Sequence, residues 1–398
     1  VITAPSADVY KGGKLAARLE RYDNGVNFYY LAAYLDSGGP SIASTLPLNG
    51  DPVRSQAGAI PAFFAGLLPE GRRLTALRRA IKTSADDELS LLLAVGEDTI
   101  GDVQVLPLGA EPRTTTDALV VDKPFEEMSF REVIGESGIS PLPALAGVQE
   151  KTSAAMISVP LAQRNARYIL KLSPPENPYL VENEAFFLEL ARRNRMPVAA
   201  SRIVRDRDKI PGLLVTRFDR IWDGQRIRML AVEDACQAMG LWPADKYNVS
   251  TEDVAEALMN LTPARAVAAQ EILRQLTFAW LTGNGDLHAK NIAVMNSPEV
   301  GKRMTPAYDL PSTLFYDDTV LALTVGGRDT LSAGRITAFA GELGLPSKAA
   351  ARTMRQVLTA TAPLPELVKN LPFDRRVLDK ASRQLATRHR EIERAVAN

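Results

Sequence analysis

The stretch LTGNGDLHAKNIAVM (281–295) decides how this chain is read. It follows an apolar helical pattern and runs into an apolar segment of strand character, so it reads as a helix-to-strand loop. Gly283 and Gly285 permit a tight turn that exposes backbone. Asp286 and Asn291 stand five residues apart within it. In phosphoryl transfer an Asp accepts the proton of the acceptor hydroxyl, and an Asn five residues later binds magnesium. A loop with this spacing can hold both groups around one phosphate. The same residues would also suit an Asx-type turn that caps local backbone.

Three neighbouring segments add to this reading. TPAYDLP (305–311) follows downstream and places Asp309 after a short apolar strand start. A second metal-binding carboxylate is what phosphoryl transfer requires, because magnesium bridges the nucleotide phosphates. Upstream, the strand 168–172 alternates, with Tyr168, Leu170 and Leu172 on one face and Ile169 and Lys171 on the other. A lysine inside an apolar strand is costly to bury unless paired. Glu184 breaks the apolar stripe of the expected helix 182–193, beside Phe187, Leu188 and Ala191, and would serve as its partner, although both residues would equally suit an edge where each reaches solvent. A strand Lys paired with a helix Glu is the device by which protein kinases align nucleotide phosphates. ALAGVQEKT (144–152) precedes that strand, and its Gly147 and Lys151 suit a loop passing close to phosphates. It matches neither a Walker A loop nor GxGxxG, and a plain hairpin would fit it as well.

Residues 1–45 alternate and carry turn signals, and from Ala57 the pattern becomes helical. A polar, aperiodic stretch at 110–123 reads as a linker. Segments 199–205 and 212–217 read as a hairpin. Thr262 followed by Pro263 reads as the N-cap of a helix through Ile272, Leu276 and Trp280, which Gly283 ends. The expected organisation is therefore α+β and two-lobed, kinase-like by its phosphoryl-transfer residues, with a separate portion ahead of the linker. Its divisions fall at 1–124, 125–221 and 222–398, the last a mostly helical catalytic lobe.

The 398 residues include 47 Lys plus Arg and 47 Asp plus Glu, a formal net charge of zero. No global basic excess announces nucleic acid. At 46% apolar and 24% charged, the composition excludes a disordered chain, a collagen and a coiled-coil rod. One cysteine, Cys236, and two histidines, His288 and His389, cannot form an internal disulfide and fall short of a Cys/His zinc site. The low cysteine count fits the cytoplasm. No run of about 18 apolar residues exists to span a membrane. The scattered Lys11, Lys14, Arg18 and Arg21 do not make a signal peptide.

Taken in order, LAGVQEKT (145–152), YILKLS (168–173), VENEAFFLELA (181–191), LLVTRFDR (213–220), GNGDLHAKN (283–291) and TPAYDLPST (305–313) resemble the HipA serine/threonine kinases. These are the toxins of HipBA-type toxin–antitoxin modules. STLPLNG (44–50) and AFFAGLLPEG (62–71) resemble their small N-terminal subdomain. The resemblance implies ATP and Mg2+ as cofactors, with Asp286 as catalytic base and Asn291 and Asp309 as magnesium ligands. It implies that Lys171 contacts the ATP phosphates and that Ala146, Gly147, Val148, Gln149, Glu150 and Lys151 fold over them. Thr216, Arg217 and Phe218 would form the hinge beside the adenine, mostly through backbone. His288, Ala289, Lys290 and Tyr308 would lie near the nucleotide. The implied substrate is a protein serine or threonine, typically on an aminoacyl-tRNA synthetase. The implied partner is a HipB-like helix-turn-helix antitoxin dimer, which would carry most of the contact with operator DNA.

One position departs from the family. A serine commonly precedes the segment matching Leu145–Glu150, and its autophosphorylation ejects the loop. Here that position is Ala144, which has no hydroxyl, and Ser140 is the nearest substitute. Two other functions compete with the toxin kinase. A small-molecule phosphotransferase of the aminoglycoside or choline kinase type would commonly place Trp where Leu310 follows Asp309. A kinase-fold co-repressor without turnover would leave the set Lys171, Asp286, Asn291 and Asp309 unexplained.

Overall fold

The computed structural model describes residues 6–23, 25–84, 86–113, 119–136 and 156–397. The chain opens with a five-stranded antiparallel sheet, in the spatial order Val53–Ser55, Gly25–Tyr30, Lys14–Tyr22, Ser6–Lys11, Val103–Pro107. Alternation puts Ala7, Val9, Leu19, Val26 and Phe28 on one face, where they bury against Phe63, Phe64, Leu89 and Leu92. Those partners come from the helices Ala62–Ala65 and Glu88–Val95.

A second sheet follows, in the order Leu119–Val120, Ile157–Gln163, Ala166–Leu172, Pro211–Thr216, Ser201–Arg205. Its first pair is parallel and the others antiparallel. One face, with Val159, Leu161, Leu170 and Leu172, packs on Phe125 and Phe130. Helix Leu180–Arg193 lies over the other face, with Phe187 and Leu188 against Leu213 and Val215. The short strand Leu119–Val120 already pairs with this sheet, inside the stretch that composition alone reads as linker.

The rest is mainly helical, around a small sheet of Val232–Asp234, Ala293–Ser297 and Gly301–Met304. Helix Arg265–Thr282 is buried along its whole C-terminal half, from Gln275 to Thr282. A helix covered on all sides carries little amphipathic signal. The helices Thr251–Leu261, Ser347–Thr361 and Arg375–Ala397 pack around it. Thr262 does not cap this helix. It closes the preceding one, and its hydroxyl donates back to the Met259 carbonyl at 3.2 Å. The N-cap is Ala264, with no side-chain cap bond. A threonine hydroxyl can bond the carbonyl three residues back as readily as it caps forward, and here the backward bond wins. No described helix is long and apolar enough to cross a membrane.

Candidate functional site

Between the second sheet and the helical part lies a cleft of about 350 Å³. Ser158, Pro160 and Ile169 form its roof side, Glu184 and Lys171 its back, and Val232, Tyr308 and Asp309 its base. Leu67, Leu68, Val95 and Ile100 of the N-terminal part close its remaining side. Such a concave, mostly apolar hollow with a few convergent polar groups is the usual form of a small-molecule site.

At its back, the Lys171 ammonium donates to Glu184 Oε1 at 2.7 Å and to Asp309 Oδ1 at 2.6 Å. Burial disfavours the lysine charge, but the two carboxylates outweigh it and push its pKa up. Burial pushes Glu184 up to about 7, with Lys171 opposing and Asp309 reinforcing. Burial also works against Asp309, yet the Lys171 ammonium beside it holds its carboxyl below the ordinary value. The three form one charge cluster drawn from a strand, a helix and a loop. Asp309 adopts a left-handed backbone, φ 58°, a conformation Asp tolerates better than most residues and one often found at functional sites.

The loop after helix Arg265–Thr282 is shaped by its glycines. Gly283 caps the helix with φ 73°, and an added β-carbon would lie 2.3 Å from Leu314. Gly285 presses its backbone on Thr313, whose hydroxyl accepts its N–H at 3.0 Å. Asp286 is fully buried. Its N–H donates to Asn284 Oδ1 at 2.8 Å, and its carboxylate Oδ1 accepts the Tyr247 hydroxyl at 2.8 Å. Asn291 donates its amide N–H to the Asp286 carbonyl at 2.9 Å, which ties the two ends of the loop together. A carboxylate at Asp309 and an amide oxygen at Asn291 are the hard oxygen donors magnesium prefers, so the residues present fit that ion.

The 216–218 segment runs along the cleft between the sheet and the helical part. Thr216 N–H donates to the Ala200 carbonyl at 2.7 Å, and Arg217 N–H to the Arg167 carbonyl at 2.9 Å. The Arg217 side chain turns away from the strand edge. It enters a buried network with Asp98 and Asp219 at 2.9 and 2.8 Å, which Arg220 joins. Phe218 packs against Tyr308, ring centroids 5.6 Å apart.

Of the expected site residues, Lys171, Glu184, Thr216, Arg217, Phe218, Lys290, Tyr308 and Asp309 line the cleft. Asp286, His288, Ala289 and Asn291 do not; all four are buried. His288 turns its Nδ1 to accept the Lys290 N–H at 3.3 Å, and burial lowers its pKa. Lys290 reaches the cleft with its ammonium already engaged by the Gly66 carbonyl at 2.9 Å and Asp234 at 3.1 Å. The loop from Ala146 to Lys151, with Ala144 and Ser140, lies outside the described residues. Sequence reading missed Tyr247, Asn183 and Glu70. Asn183 clamps the Asp309 loop by donating to the Ser312 carbonyl at 3.0 Å and accepting the Ser312 N–H at 2.8 Å. A polar residue on the buried stripe beside Glu184 was the available signal for Asn183. Tyr247 and Glu70 sit in irregular segments where periodicity says nothing.

The chain has clear relatives. A model of the HipA-like C-terminal domain matches residues 143–363, and one of the HipA N-terminal domain matches residues 7–106. The serine/threonine-protein kinase toxin HipA of Shewanella oneidensis is 30% identical over 352 residues, 80% of this chain and 78% of its own. The Sinorhizobium fredii protein Y4mE is 28% identical over 388 residues, 91% of each chain. The solved structure of the Shewanella oneidensis HipA, HipB and operator DNA complex includes a chain with the same fold, at TM-score 0.77 and 24% identity, over 98% of this chain and 99% of that one.

Proposed function

Because the chain belongs to the HipA family of toxin kinases, we propose that it transfers the γ-phosphate of ATP to a serine or threonine hydroxyl of a protein. The single observation that carries this reading is the Lys171 ammonium bound at once to Glu184 and Asp309 on the wall of the cleft. The Lys–Glu pair of kinases and a metal-binding Asp must both be in place for transfer, and the two meet at one nitrogen here. In this reading the cleft takes the nucleotide, with the base against Thr216–Phe218 and the phosphates toward Lys171 and the Ala146–Lys151 loop. Asn291 and Asp309 would hold magnesium, which would neutralise phosphate charge. Asp286 orients the acceptor hydroxyl and takes its proton. Positioning and electrostatics supply the catalysis, with no covalent intermediate.

The proposed setting is a type II toxin–antitoxin module in the cytoplasm. The chain divides near residues 124 and 221, as its sequence pattern suggests. A HipB-like helix-turn-helix dimer would neutralise it and carry most of the operator contact, which suits a toxin of zero net charge. An aminoacyl-tRNA synthetase is the proposed class of substrate. The test is transfer of labelled phosphate from ATP and magnesium in a cell lysate, beside an Asp286→Asn control. A discrete labelled protein band, absent with the control, is expected. Label appearing only on small alcohols, or no label despite measurable ATP binding, would reject the reading.

A further inference from the structure

The stretch around Tyr247 is fastened to the loop that carries Asp286. The Tyr247 hydroxyl donates to Asp286 Oδ1 at 2.8 Å. Its ring stands edge-on to His288, with centroids 5.0 Å apart. Next to it, the Lys246 carbonyl accepts the Ala289 N–H at 3.1 Å. The Lys246 ammonium lies over the Tyr247 ring, 5.3 Å from its centre, and pairs with Glu70. Glu70 also lies 3.7 Å from the Lys290 ammonium. It is the residue just before helix Gly71–Ile81, in the LLPEG turn of the N-terminal part. Tyr247 is thus held directly by the catalytic loop, and the N-terminal part reaches it through Lys246.

We propose that Tyr247 is a positioning residue for phosphoryl transfer, fixing the carboxylate of Asp286, and that Glu70 of the N-terminal part holds Tyr247 in place. This rests on Asp286 being the base. A carboxylate turns readily about its last torsion, whose energy wells are broad. A hydrogen bond to Oδ1 sets that torsion and so the direction of Oδ2. In the transfer the acceptor oxygen bonds to the γ-phosphorus and the bond from that phosphorus to the bridging oxygen breaks. ADP leaves with the bonding pair, and the acceptor proton passes to Oδ2. Misplacing a reacting group by about 1 Å can cost about 100-fold. The assignment also gives the LLPEG turn a task, since its glutamate reaches Lys290 within the catalytic loop and Lys246 beside it.

The experiment compares the full chain with Tyr247→Phe, Asp286→Asn, Glu70→Gln and the Tyr247→Phe/Glu70→Gln double variant. Transfer rate, KM for ATP, ATP binding by calorimetry and the thermal midpoint are measured on each. Tyr247→Phe should lower kcat about 10- to 100-fold, the range typical of lost supporting hydrogen bonds. Its KM for ATP and its ATP affinity should stay at the wild-type values, while the thermal midpoint falls modestly because a buried carboxylate loses a donor. Glu70→Gln should slow transfer by itself but add little to Tyr247→Phe, because the two act along one route. Full kcat in Tyr247→Phe overturns the proposal, as does a loss that appears in ATP affinity instead of kcat. Independent, multiplicative losses in the double variant overturn the Glu70 route. Normal turnover in Asp286→Asn would instead sink the assignment of the base, so the two failures are distinguishable.

Discussion

Lys171 announces itself in the sequence because a charge in an apolar strand has to be explained, and Glu184 does so on an apolar helical stripe. Each violates a burial pattern, and each violation is resolved by the other at 2.7 Å. What alternation could not reveal is that Asp309 shares the same ammonium. Lys171→Ala should therefore slow transfer and also leave two carboxylates facing each other. A double-mutant cycle with Glu184→Ala, read by transfer rate, should give a clear coupling, and strict additivity would reject the pair. Asp309→Ala should weaken magnesium-dependent nucleotide binding, measurable by titrating the nucleotide with and without the ion. Asp286→Asn should lose on the order of 10³-fold in transfer while still folding. Tyr247 was illegible at this scale, since a half-buried tyrosine in a polar segment looks like any surface aromatic.

At the scale of elements, the strand and helix that carry the Lys–Glu pair follow from period-2 and period-3.6 patterns, and both were legible. The contact between helix Leu180–Arg193 and the Asp309 loop was not, because it depends on one amide meeting one backbone peptide. Asn183→Ala would strip both hydrogen bonds from Ser312 and leave its buried peptide groups unpaired. A loss of about 2–4 kcal/mol is expected from denaturant unfolding, with weaker nucleotide binding as the Asp309 loop drifts. Isosteric Asn183→Asp should also destabilise, since a carboxylate cannot donate to the Ser312 carbonyl. Gly285 gives a second test. A β-carbon there would lie 2.6 Å from the Val320 carbonyl and 2.5 Å from the Thr313 hydroxyl. Gly285→Ala should lower both the thermal midpoint and transfer, and a variant with wild-type values would show that the turn has room to relax.

At the scale of the whole molecule, charged groups seal the N-terminal part to the rest. Asp98 pairs with Arg217 and Arg220, and Asp219 accepts the Gly101 N–H at 2.9 Å. Burial opposes the charge on Asp219, but Arg217 and Arg220 prevail and hold its pKa at about 2. Asp219→Asn would leave two buried arginines short of a counter-charge and should cost about 3–5 kcal/mol in unfolding. A second seam, Glu70 with Lys246 and Lys290, lies beside the catalytic loop. Acid should also be felt globally. Burial lowers the pKa of His389, against Glu393 and a hydrogen bond to the Thr361 backbone, so its folded value lies below the unfolded value of about 6.5. The unfolded chain then takes up the proton first. The stability tied to a neutral His389 is complete above about pH 6.5 and is lost as pH falls toward the folded value. The thermal midpoint should drop between pH 7 and 5.5, and drop less in His389→Gln. An equal drop in the variant would place the acid sensitivity elsewhere.

The sequence by itself determined the α+β character, the strand and helix of the Lys–Glu pair, the loop with Asp286 and Asn291, and the family. These are local: periodicity, turn chemistry and motif spacing are written in consecutive residues. Only the tertiary structure decided that Lys171 serves two carboxylates, that Arg217 turns into an ion network, that Asp286 is met by Tyr247, and that the LLPEG turn of the N-terminal part reaches the catalytic loop. In these contacts Tyr247 and Asp286 stand 39 positions apart, Arg217 and Asp98 119, Lys171 and Asp309 138, and Lys246 and Glu70 176. No local pattern encodes them, because the energy that selects them comes from pairing buried charges and hydrogen-bonding groups that meet only once the core has closed.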